Sequence, residues 1–99
     1  MSEKATLLVT AVPNPNDMAS VQEYLQGVMP LFTRAGGTLV KRLKVDDIIH
    51  GDASGMALVM DFDSADAITE LFESDDYAEL VPVRDRGFTE MDILVTQEM

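Results

Sequence analysis

Thr38-Leu39-Val40-Lys41-Arg42-Leu43-Lys44-Val45-Asp46-Asp47-Ile48-Ile49-His50, then Gly51-Asp52-Ala53-Ser54-Gly55, then Met56-Ala57-Leu58-Val59-Met60-Asp61-Phe62: this run decides the fold. Two stretches rich in apolar and β-branched residues are separated only by a glycine-bounded turn. Residues 38–50 and 56–62 therefore read as adjacent strands of a hairpin with no helix between them. A helix is expected on each flank. Upstream, Met18, Val21, Leu25, Val28, Leu31, Phe32 and Ala35 recur at steps of three and four, the spacing of one buried helical stripe. Asn14 is the expected N-cap, with Pro15 at the first helical position and Asp17 in the first turn. Pro30 should kink this helix rather than end it, and Gly36-Gly37 supplies a left-handed stop.

Downstream of the hairpin, Ser64 reads as an N-cap, and Ala65, Ile68, Leu71 and Phe72 fall on one helical face that ends near Glu73. Ser74 can cap a further short helical turn marked by Tyr77, Leu80 and Val81, which Pro82 and Gly87 are expected to close. The two ends complete the pattern. Residues 4–12, Lys-Ala-Thr-Leu-Leu-Val-Thr-Ala-Val, form a first strand stopped by Pro13-Asn14-Pro15, and residues 88–96 form a fourth. The order βαββαβ across residues 1–99 is that of a single ferredoxin-like α+β domain. Right-handed crossovers then require an antiparallel sheet of order 4-1-3-2 with both helices on one face.

Composition removes several functional classes. The chain has no cysteine, which excludes disulfides, thiolate metal sites and cysteine nucleophiles, and no apolar stretch approaches a membrane span. Eighteen acidic residues against seven basic ones leave a net charge of −11, a field that repels nucleic acid and anionic membranes. RNA recognition on such a sheet would also need aromatic platforms on the central strands, where this chain has Leu, Val and Met. Met1-Ser2-Glu3-Lys4 leads straight into the first strand, so a cytoplasmic protein is expected.

The central strands are apolar on both faces. Leu7 and Val9 oppose Leu8 and Val12, while Met56, Leu58 and Met60 oppose Ala57 and Val59. Helices can cover one face, and a second copy of the chain is the economical cover for the other, so a homodimer is expected. Lys41, Arg42 and Lys44 on the second strand and Glu90 and Asp92 on the fourth are placed to meet across subunits and set the register; a solvated charged edge is the alternative.

Tyr24, Pro30 and Gly36-Gly37, then Met60-Asp61-Phe62 leading into Ser64, then Ser74-Asp75-Asp76-Tyr77 and Arg84, resemble the domain-of-unknown-function family numbered 1330, over roughly residues 5–96. The resemblance implies the dimeric α/β-barrel superfamily: two four-stranded sheets facing each other, with a cleft in each subunit. It also implies a range of activities, from cofactor-free monooxygenases and haem-handling enzymes to isomerases and proteins without known activity. The acidic loops and few arginines of this chain depart from the pattern expected of the family.

Few residues offer chemistry. His50 is the single histidine, so no triad or multi-histidine metal site can form within a subunit; with Asp46 or Asp52 it would be a general base, and otherwise a solvated turn residue. Asp46, Asp47 and Asp52 match no calcium loop. Gly36-Gly37 follows a helix instead of preceding one, so it is a stop and not a phosphate loop. Met56, Met60 and Met91 are explained by packing. Arg84, Tyr77 and Tyr24 form the strongest candidate site: one guanidinium and two phenols that could hold a carboxylate or enolate, with Asp61 as proton acceptor. The alternative makes both tyrosines core residues and pairs Arg84 with Asp85 or Glu79. The expected ligand is a small hydrophobic organic acid or carbonyl compound, with no obligatory cofactor, handled by an enzyme or by a non-catalytic binding dimer.

Overall fold

The computed structural model describes residues 4–51 and 55–99. The elements run β1 (Ala5–Pro13), α1 (Met18–Arg34), β2 (Thr38–Lys44), β3 (Met56–Phe62), α2 (Ala65–Glu73), α3 (Asp75–Ala78), α4 (Val81–Gly87) and β4 (Phe88–Thr96). The four strands form one antiparallel sheet of order β2-β3-β1-β4, which is the expected order read from the opposite edge. The ferredoxin-like α+β architecture is therefore borne out.

Strand register divides the residues between two faces. Ala5, Leu7 and Ala11 of β1 share a face with Leu58, Met60 and Phe62 of β3, and all six are buried in one core with Val28, Phe32, Ile68 and Leu71 from the helices. Full burial of an aliphatic or aromatic side chain of this size stabilises the fold by about 1.5–3 kcal/mol, so this helix-side layer carries most of the driving force. Among the described residues no helix covers the opposite face. It presents Leu8 and Val12 of β1, Ala57 and Val59 of β3, Leu43 of β2 and Leu94 of β4, with Leu43 and Leu94 46% exposed.

The ends of several elements differ from expectation, each for a local reason. α1 begins at Met18 under Asp17, whose carboxylate accepts from the Ser20 backbone N–H at 3.1 Å and from its hydroxyl at 2.8 Å. Asn14 does not cap; its side chain accepts from the Asn16 N–H at 3.0 Å and closes a turn three residues earlier. The Ser20 hydrogen bonds hold the Asp17 carboxyl below the usual carboxylate range. α1 continues through Pro30, and Gly36 follows it at φ +88°, the left-handed conformation expected there.

β2 stops at Lys44 rather than running to His50, because β3 begins opposite it at Met56 and offers no partner beyond; the Val45 N–H to Gly55 carbonyl bond of 3.0 Å closes the ladder. The expected turn falls partly on residues 52–54, outside the described residues. Pro82 opens α4 instead of closing a helix, since a residue without an N–H is accommodated in the first turn. α4 also lies close against α1. A Cβ built on Gly87 would sit 2.9 Å from the Val21 backbone nitrogen, so only glycine allows this approach.

Candidate functional site

Tyr24 falls on the buried stripe of α1 with Val21 and Val28, which carries its ring inward; the residue is 4% exposed. Ser74 places Tyr77 by capping α3, its hydroxyl accepting from the Tyr77 N–H at 3.2 Å, and Tyr77 is 3% exposed. Arg84 stands on α4, so Tyr77 and Arg84 belong to two short helices and not to one segment. The three meet in a chain. The two phenol oxygens are 2.9 Å apart, and Arg84 Nη1 donates to Tyr77 Oη at 3.3 Å while its Nε donates to Asp85 at 3.2 Å. The guanidinium carbon lies 5.9 Å from the Tyr77 ring centroid, within cation–π range. Phe72 and Phe88 pack edge-on against Tyr77 and Tyr24, at centroid distances of 4.7 and 5.5 Å.

Burial, and then the bond to Tyr77, push the Tyr24 phenol well above its ordinary value of 10.0, so it is neutral at physiological pH. Desolvation opposes the charge on Arg84, but Tyr77 and Asp85 together outweigh it and raise its pKa. Asp61 does not join this group. Met60 and Phe62 point into the core, so strand alternation turns Asp61 to the opposite face, where it accepts from the Thr6 hydroxyl at 2.8 Å. The sheet stands between it and the phenols, which removes Asp61 as a proton acceptor for them.

A cavity of about 320 Å³ lies between α1 and the sheet. Its walls come from Val9, Met56, Leu58 and Met91 on the strands and from Tyr24, Leu25, Val28, Met29 and Phe32 on α1. The exposed lining residues Gln22, Gln26 and Arg42 mark its mouth. Tyr24 lines this cavity, whereas Tyr77 and Arg84 line an open groove of about 450 Å³ outside it, so the phenol pair joins the two spaces. Among the described residues that line the cavity there is no carboxylate and no histidine.

The family resemblance implied a cleft in each subunit without placing it under α1, and sequence reasoning assigned Arg42 to a subunit contact, whereas Arg42 lines the cavity. The structure separates the three cations of β2. Lys41 lies opposite Val59 on the open face, while Arg42 and Lys44 lie opposite Leu58 and Met56 on the helix side. Glu90 and Asp92, opposite Val12 and Thr10, are on the open face. His50 is exposed beyond the end of β2, and its candidate partner Asp52 is outside the described residues. Among the described residues no three acidic or histidine side chains cluster as metal ligands, and no helix is long and apolar enough to cross a membrane.

Comparison with known proteins places the chain. A model of the family described as domain of unknown function, DUF1330, matches residues 5–99. The chain belongs to the DUF1330 family. No curated protein matches this DUF1330 chain. Among solved structures it is similar to a protein of unknown function from Rhodopseudomonas palustris, at 15% identity and a TM-score of 0.83, covering 100% of this chain and 85% of that one. It is also similar to a hydroxynitrile lyase from Passiflora edulis (12%, TM-score 0.76, covering 100% and 96%). A third is a dimeric protein of unknown function with a ferredoxin-like fold from Bacteroides fragilis (9%, TM-score 0.63, covering 96% of each). At these identities of 15% and below the likeness is one of fold.

Proposed function

We propose that this chain forms a homodimer through its open sheet faces and that each subunit binds a small hydrophobic organic acid or carbonyl compound in the cavity under α1. The observation that carries the reading is the cavity itself. Its size lies at the lower end of the range of about 300–1,000 Å³ typical of small-molecule sites, its walls are apolar apart from the Tyr24 phenol, and its other polar side chains stand at the mouth. Such a site takes its affinity from the apolar body of a ligand and its orientation from one or two polar contacts.

Two observations support the dimer. The open face carries an apolar strip from Leu43 through Val59 and Leu8 to Leu94, and Lys41 stands at one edge of that face while Glu90 and Asp92 stand at the other. Two copies packed face to face with their edges crossed would bring the opposite charges together. The Bacteroides fragilis neighbour is itself dimeric.

Binding is favoured over catalysis because the described residues of the lining include no carboxylate or histidine to act as general base, and Asp61 lies on the other face of the sheet. One observation favours chemistry at the same place: Tyr24 is a neutral phenol in the cavity wall, backed by Tyr77 and Arg84, and a donor chain of this kind can stabilise a developing enolate. Native mass spectrometry of the protein purified without added ligand tests the binding reading, with Leu25→Trp as the variant that fills the cavity. The expected spectrum is a dimer with a small-molecule mass that Leu25→Trp loses. A bare protein that also shows no thermal shift with hydrophobic acids or carbonyl compounds would overturn it.

A further inference from the structure

We propose that Arg42 is the anion-recognition residue of the cavity, so that the ligand is a carboxylate carried on an apolar body. This rests on the binding reading above and narrows it from acids and carbonyl compounds to anions. The argument begins with the register of β2. Leu39 pairs with Met60 and Lys41 pairs with Val59, so Val40 is an extra residue that bulges from the ladder. Strict alternation from Leu39 would turn Lys41 to the helix side and Arg42 to the open face. One inserted residue exchanges them, which is how a β-bulge re-aims a side chain. The bulge is thus the reason a guanidinium stands at the mouth of an apolar cavity.

Charge distribution makes that guanidinium distinctive. The chain carries seven basic and eighteen acidic residues, and Arg34 and Arg84 are paired with Asp76 and Asp85. Arg42 forms no ion pair among the described residues, and Lys44 lies on the same side of β2 two residues further on. A planar guanidinium matches a carboxylate with two parallel hydrogen bonds, a geometry that neither a neutral carbonyl nor an alcohol reproduces. Behind it, Met29, Met56 and Met91 give the walls polarisable thioethers that adapt to the shape of the apolar body.

The test uses the full chain and two probes of the same body, 2-naphthoate and 2-naphthalenemethanol. The wild type has no tryptophan, so probe emission is read against little background, and binding to the Leu25→Trp variant is read by equilibrium dialysis. The wild type is expected to bind the acid at least about tenfold more tightly than the alcohol. Arg42→Gln should remove that preference by weakening the acid far more than the alcohol, Arg42→Lys should restore part of it, and Arg34→Gln should leave both affinities as they were. Leu25→Trp should abolish binding of both probes. Equal binding of acid and alcohol by the wild type, or a preference that survives Arg42→Gln, would overturn the assignment to Arg42 while leaving the cavity reading in place. Failure of both probes to bind, or binding that survives Leu25→Trp, would overturn the two readings together.

Discussion

The hydroxyls of Tyr24 and Tyr77 meet 2.9 Å apart where both residues are almost wholly buried. Their contributions are not symmetric, because Tyr77 is held from two sides and Tyr24 from one. Tyr77→Phe leaves the Tyr24 hydroxyl and one Arg84 donor without a partner and should cost about 1–3 kcal/mol, the range for a buried polar group left unsatisfied. Tyr24→Phe leaves Tyr77 still bonded to Arg84 and should cost less. Urea denaturation of the two variants gives the order, and equal losses would mean that Arg84 adds nothing to the pair. The same phenol sets an alkaline limit. The unfolded chain releases the Tyr24 proton near the ordinary value of 10.0, whereas the folded chain holds it to higher pH, so this stabilisation is complete below that value and declines as pH rises beyond it. Tyr24→Phe should flatten that decline. Urea midpoints compared between about pH 8 and about pH 11 measure it, and parallel curves would place the alkaline loss elsewhere.

At the scale of elements, the contact of α1 with α4 depends on one missing side chain. Gly87 brings its backbone against Ser20 and Val21, with the Asn14 N–H to Gly87 carbonyl bond of 2.8 Å beside it. The atoms a new methyl would meet are backbone and cannot rotate away. Gly87→Ala should therefore destabilise the fold by about 1–3 kcal/mol, as overpacking does, and because α4 carries Arg84 it should also loosen the Arg84–Tyr77 bond. A change in the near-ultraviolet signal of the tyrosines, measured with the urea midpoint, separates loosened packing from simple loss of stability. At Gly27, by contrast, a Cβ would meet the end of the Leu80 side chain, at 2.6 Å, and a flexible side chain can give way.

For the whole molecule, the charge of −11 works against association of two like copies, so a dimer needs both the apolar strip and a local arrangement of opposite charges. Lys41 and the Glu90–Asp92 pair provide that arrangement at opposite edges of the open face. Lys41→Glu should weaken the dimer by about tenfold or more, and Glu90→Lys with Asp92→Lys in the same chain should restore it. Sedimentation equilibrium reads both. An unchanged dissociation constant for Lys41→Glu would mean that these charges serve as a solvated edge and take no part in assembly. Arg42→Glu is expected to leave the dimer intact, since its side chain faces the helices and not the open face.

The ferredoxin-like order was legible because each element carries its own local physics. The three-and-four spacing from Met18 to Phe32, the Ser64 cap, the Gly36 stop and the turn between two apolar runs are properties of short stretches, and they left one chirally allowed topology. The placement of Asp61 beside the phenols was wrong although the same alternation spoke against it, since an acid between Met60 and Phe62 must turn away from whatever those two bury against. Other features were settled only by contacts between distant parts of the chain. The N-cap fell to Asp17 because Asn14 was drawn into a turn against Gly87, and the halt of β2 at Lys44 reflects where its partner strand begins. The bulge at Val40 has no local signature, yet it reverses the faces of Lys41 and Arg42 and with them the reading of the cavity mouth. Spacing along the chain specified which residues share an element; which side chains meet across elements depended on register and close approach, which only the packed molecule determines.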